Sequence, residues 1–152
     1  MLFRTHLIFA LLIALFLLFI GFNYPLFILV FVFAALLPDI DHPSSKIGRR
    51  FKFLNLLFTH RGFFHSLFAL LIFTILLYFV NFMLAIAFFS GYFLHLLLDS
   101  FTKQGIYLFY PFSTKRSKGN IKVGSFLENI LFFIILFLMV VLLVFYLRMR
   151  IF

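Results

Sequence analysis

The sequence predicts an all-α fold, a polytopic membrane helix bundle of about four to five membrane helices with an interfacial helix as a further element. Three observations carry this. The chain is 66% hydrophobic and only 11% charged, whereas soluble domains carry roughly 25% charged residues. Its apolar residues gather into runs near 5–22, 24–37, 63–80, 82–101 and 126–147. Its basic residues flank those runs rather than entering them. With no internal repeat or linker, residues 1–152 read as one membrane-embedded domain.

A spanning helix needs about 20 residues at 1.5 Å each. The first run follows Arg4, and no small-residue cleavage site comes after it, so it reads as a retained helix rather than a signal peptide. The second run is short and bounded by Pro25 and Pro38. This first pair is expected to tilt, to thin the bilayer or to form a partly inserted hairpin. The last three runs reach spanning length or nearly so. Polar loops fill 38–62 and 102–125. Within the first, "KIGRRFKFLNLLF" (46–58) places Ile47, Phe51, Leu54 and Phe58 at three- and four-residue steps among Lys46, Arg49, Arg50 and Lys52. That pattern fits a helix in the membrane interface, and equally a solvated basic loop.

All but two of the 13 basic residues fall at Arg4 or in the two long loops; the exceptions are Arg148 and Arg150 at the tail. The positive-inside rule therefore predicts an inner (cytoplasmic) membrane protein with its N-terminus and both loops in the cytoplasm and its C-terminus outside. The net charge of +9 then belongs to topology and lipid contact, and no nucleic-acid partner is expected. Cysteine is absent, which excludes disulfides and thiolate ligands.

The chain has four acidic residues, Asp39, Asp41, Asp99 and Glu128, and five histidines, His6, His42, His60, His65 and His95. On the predicted topology all nine lie within about two turns of the cytoplasmic helix ends. Ionisable groups near hydrocarbon cost at least about 2.5 kcal/mol each and are usually paired or functional. A shared site between the helix ends accounts for the clustering. Imidazole with carboxylate and no thiolate suits zinc, with manganese or iron as alternatives. Nine candidate ligands exceed what one tetrahedral ion needs, so two or three ions fit.

Spacing sharpens some members. His95 and Asp99 are i, i+4 and share a helix face. Asp39 and His42 are i, i+3 and do the same if helix continues past Pro38. His60 and His65 lie about 140° apart on a regular helix, so they converge only if the chain turns at Gly62, with His60 before the helix and His65 on it. Each feature also has a plainer reading. His95 and Asp99 suit a buried hydrogen-bonded pair, "PDIDHP" suits an Asx-capped turn, and His6 suits an ordinary interfacial helix start. Ser125 and Glu128 match a capping box.

"LLPDIDHP" (36–43), "HRGFFHS" (60–66), "GYFLHLLLDSFT" (91–102) with "YPFS" (110–113), and "KGN" to "LE" (118–128) occur in that order. The ordered set resembles the YdjM-like family, described as predicted membrane-bound metal-dependent hydrolases. The likeness covers nearly the whole chain and includes His6. One departure is Phe64, where the family pattern often has threonine. The H-x-x-x-D of His95 and Asp99 is also similar to that of zinc-dependent phospholipases C, helical proteins that use three zinc ions.

The resemblance implies hydrolysis of a phosphoester, such as a phospholipid or lipid-linked phosphate, by metal-activated water. Asp39, Asp41, His42, His60, His65, His95 and Asp99 would bind the ions, with Glu128 peripheral. Asp39 or Asp41 would bridge metals or take the water's proton. Arg61 would hold a phosphate oxygen, and Arg49 and Arg50 would steer anionic headgroups. The partners expected are membrane lipid and a lipid or phosphoester substrate; the sequence sets no oligomeric state. The competing expectation is a metal-binding or metal-transporting membrane protein without catalysis, and a third is a scaffold whose histidines only pack helices. A transporter should carry polar groups at mid-membrane, and the outer half of this chain has no acid or histidine.

Overall fold

Pro25 opens a helix and Pro38 ends it, and between those two signals lies the second of five helices in the chain's computed structural model. The structure describes residues 1–41 and 62–151, without the side chains of 40, 41, 150 and 151. The helices are α1 (Phe3–Phe19), α2 (Pro25–Leu36), α3 (Leu67–Tyr78), α4 (Phe82–Ser100) and α5 (Phe126–Ile151). Among the described residues no strand forms. The all-helical expectation holds. The interfacial helix proposed for 46–58 lies outside the described residues.

Local chemistry explains the boundaries. The α1–α2 link turns through Gly21 at φ +85°, a left-handed value that costs glycine little. After α2, Pro38 offers no N–H to continue the ladder, and Leu37–Asp41 tightens into a 3-10 turn. Asp39 is carried on that turn. Asn81 caps α4, its Oδ1 accepting from the N–H groups of Met83 (2.9 Å) and Leu84 (3.1 Å).

The third run is shorter as helix than its apolar length suggests. Phe63–His65 is a separate 3-10 turn. Ser66 is extended and accepts from Ala69 N–H at 3.2 Å, so α3 begins only at Leu67. Its 12 residues rise about 18 Å, well short of a bilayer. By length and composition, α4 and α5 are the two described helices able to cross a membrane.

Helix α4 is central, packing on α2 and α3, while α1 packs on α2 and α5. Gly91 permits the closest approach. A Cβ there would strike the Phe31 carbonyl, with the Ala34 methyl beside it. One buried cluster joins Ala34, Leu70, Phe88, Tyr92, Leu96 and Ile106. Another joins Ala10, Phe27, Phe31, Ala35 and Ala87. Small residues at both seams let backbones come together, as membrane helix packing requires.

The loop 102–125 is folded rather than open. Ile106 and Ser117 exchange backbone hydrogen bonds (3.0 and 2.9 Å), and Lys103 N–H donates to the Ile121 carbonyl (2.8 Å). Leu67 N–H donates to the Leu108 carbonyl (2.9 Å), tying the loop to the start of α3. The helices alternate in direction. One end of the bundle therefore holds the start of α1, the end of α2, the start of α3, the end of α4 and the start of α5.

Candidate metal centre

At that end five ligand-type side chains meet. His95 and Asp99 project from one face of α4. His6 comes from the first turn of α1, His65 from the 3-10 turn before α3, and Asp39 from the turn after α2. His6, His65, His95 and Asp99 are buried, whereas Asp39 is 17% exposed and gives the described part of the cluster its opening.

The distances are those of a shared site. His65 Nε2 and His95 Nε2 lie 3.4 Å apart. Asp99 Oδ2 is 3.7 Å from the first and 3.9 Å from the second. Asp39 Oδ1 is 4.0 Å from His65 Nε2 and 3.8 Å from His95 Nε2. The other oxygen of Asp99, Oδ1, lies 3.2 Å from His6 Nε2. The His6 and His95 rings stack with centroids 4.0 Å apart and planes 14° from parallel. Asp99 thus turns one oxygen towards His6 and the other towards the His65–His95 pair, the posture of a bridging carboxylate.

A metal ion fits this donor set. Two ligands at about 2.0–2.1 Å from a tetrahedral ion lie about 3.4 Å apart, which matches the two imidazole nitrogens. Two groups bring all their ligand atoms within 4.8 Å of one another: His6, Asp39 and His95; and His65, His95 and Asp99. Imidazole and carboxylate donors without thiolate suit zinc first. His95 Nδ1 lies 2.9 Å from the Ala35 carbonyl. A carbonyl only accepts, so Nδ1 carries the proton and Nε2 presents its lone pair to the cluster. His6 Nδ1 is buried with no hydrogen-bond partner among the described residues, an orphaned atom that costs free energy as it stands. The Met1 nitrogen also contacts Asp99 Oδ1.

Glu128 belongs to neither group. Its Oε1 accepts from Leu2 N–H at 2.6 Å and from the Thr5 hydroxyl at 3.0 Å, and its Oε2 accepts from Gly124 N–H at 2.6 Å. One buried carboxylate thereby caps the first turn of α1 and the start of its own helix. This is a variant of the capping box read from the sequence, with the reach-back made to Gly124 rather than Ser125. Arg4 reinforces the joint, donating to Asn129 Oδ1 at 2.5 Å and lying over the Phe132 ring.

Asp41 closes the 3-10 turn, and its side chain lies outside the described residues, as do His42, Arg49, Arg50, His60 and Arg61. His65 precedes α3 instead of riding on it, so the turn anticipated at Gly62 extends through Ser66. Tyr92 was missed by sequence reasoning. It sits one turn before His95, buried, and its hydroxyl donates to the Phe64 carbonyl, which fixes the turn that carries His65. Its i, i+3 spacing to His95 was the available signal.

The chain matches the family described as "YdjM inner membrane protein" over residues 1–152. It belongs to that family. Among curated relatives of this YdjM-family chain, the "Uncharacterized protein YvsG" of Bacillus subtilis (strain 168) is 39% identical over 103 residues, covering 63% of this chain and 64% of the relative. The "Inner membrane protein YdjM" of Escherichia coli (strain K12) is 35% identical over 91 residues, 53% of this chain and 46% of the relative. The protein of the same name from Shigella flexneri matches to the same extent. The matches thus span about half to two-thirds of these relatives' lengths. No solved structure matches. Membership places the protein among membrane proteins, in agreement with its apolar helices.

Proposed function

We propose that this YdjM-family chain is a membrane-bound metal-dependent hydrolase acting on a phosphoester, with a phospholipid or lipid-linked phosphate as the substrate class. The observation that carries the reading is the convergence of His65, His95, Asp99 and Asp39 at 3.4–4.0 Å from three separate chain segments. A plain helix-packing role does not need three imidazoles and two carboxylates in contact.

His95 has one nitrogen to offer, because Ala35 takes the other. It would therefore serve one ion, while His6, Asp39 and the second oxygen of Asp99 would be the residues left to hold another. Zinc is the first choice for two or three ions, with manganese or iron as alternatives. Such ions supply Lewis acidity and an activated water at neutral pH. Asp39, the partly exposed carboxylate of the cluster, would be the group to take up a proton from water activated there. Asp39 and Asp99 offset the charge of one divalent ion. A second leaves surplus positive charge near hydrocarbon, which an anionic phosphoester neutralises. Roles for Asp41, His42, His60 and Arg61 rest on the sequence. The orientation proposed is cytoplasmic for the site and outside for the C-terminus, on the distribution of basic residues.

The test is metal content of detergent-purified protein prepared without chelator, followed by hydrolysis assays on phosphodiester and phospholipid substrates with metal added and withdrawn. The reading expects at least one tightly held ion per chain and turnover that a chelator abolishes. Metal-free protein that gains no thermal stability from added zinc, manganese or iron defeats it.

A further inference from the structure

The second polar loop carries a surface the metal centre does not use. Residues 107–118 form a loop pinned at its base by the paired hydrogen bonds of Ile106 and Ser117. At its tip Phe109 and Phe112 are 60% and 82% exposed. Phe112 is nonetheless placed, its ring meeting Phe68 edge-on with centroids 5.7 Å apart. Phe68 lies in the first turn of α3, and the exposed Leu71 and Ile75 continue that face at i+3 and i+7. Phe112 therefore prolongs the lipid-facing stripe of α3 at the depth of the helix end. That is where aromatic rings favour the headgroup zone.

The same loop carries Lys115, Arg116 and Lys118, all exposed. The Arg116 guanidinium lies 4.7 Å from the centre of the Tyr107 ring, which orients it. From 100 to 127 the chain has no acidic residue, so nothing in the loop neutralises these cations.

We infer that residues 107–118 form a docking loop for anionic phospholipid, with Phe109 and Phe112 seated among the upper acyl chains and Lys115, Arg116 and Lys118 on the phosphates. Charge complementarity and continuity with the lipid-facing side of α3 select lipid as the occupant. The inference is independent of the hydrolase reading, since it needs only a membrane-embedded chain.

The chain has no tryptophan, so F112W gives a single reporter. The full-length variant is reconstituted in mixed phosphatidylcholine and phosphatidylglycerol vesicles in which one lipid or the other is brominated. Its fluorescence is expected to be quenched by brominated lipid more than by aqueous acrylamide. Brominated phosphatidylglycerol should quench about twofold more than brominated phosphatidylcholine at equal mole fraction. Adding K115Q, R116Q and K118Q to F112W should equalise the two lipids while leaving the quenching itself. F145W, on the exposed far part of α5, should show no lipid preference, and F109W repeats the measurement should F112W not fold. Strong acrylamide quenching without lipid quenching overturns the inference, as does equal quenching by the two lipids in F112W itself.

Discussion

His95 donates through Nδ1 to the Ala35 carbonyl across 2.9 Å, so the backbone of α2 decides which nitrogen of an α4 imidazole faces the candidate metal centre. Replacement of His95 by alanine should weaken metal binding by more than the roughly 10–100-fold typical of losing a partner behind a ligand. A chelator-competition titration measures this. Wild-type protein should gain about 2.7 kcal/mol of stability at metal concentrations 100 times Kd, read from thermal melts, and His95→Ala should lose that gain. An identical metal response in both proteins would remove His95 from the ligand set.

Glu128 tests a different role. Three donors converge on its carboxylate, and an amide substitutes a donor for one of its acceptor oxygens. Glu128→Gln is therefore expected to cost about 1–3 kcal/mol of stability while metal per folded chain stays unchanged. Melting curves and elemental analysis of the same sample separate the two effects. Loss of metal from protein that remains folded would instead make Glu128 a ligand.

Gly91→Ala drives a methyl into the Phe31 carbonyl and forces α2 away from α4. Overpacking of this kind costs about 1–3 kcal/mol. The displacement also carries Asp39, on the turn after α2, away from His95, to which it now lies within 3.8 Å. Metal affinity and melting temperature should fall together. A variant as stable as wild type would contradict the close approach.

Orientation is open to direct test because the chain has no cysteine. Lys115→Cys and Arg148→Cys each place one thiol at an exposed position, near opposite ends of the bundle. An impermeant maleimide should label the first only in inside-out vesicles and the second only in right-side-out vesicles. The reversed pattern would put the site outside.

Composition and apolar run lengths made the helical class and the alternation of the helices legible, because hydrocarbon admits few other backbones. The clustering of acids and histidines at one end was legible for the same reason, since charge is costly anywhere deeper. Asp99 and His65 could thus be placed in one site before any distance was known. The true start of α3 was not legible. Phe63 and Phe64 are as apolar as the helix that follows, and only the capping geometry of Ser66 excludes them. Nor was the choice Glu128 makes between ligand and cap, because a carboxylate at a helix start suits both. What decides it is Leu2 and Thr5, which lie more than 120 residues away.

That separation also sets a schedule. Leu2 and Glu128 are 126 positions apart. Synthesis at roughly 5–20 residues per second puts about 6–25 s between the emergence of one and of the other. Throughout that interval α1 lacks the Glu128 carboxylate that accepts from Leu2 and Thr5. His6, which that turn carries, is the cluster member that depends on the last helix for its seat. Assembly of this centre is therefore a late event in the life of the chain, completed only when α5 has left the ribosome.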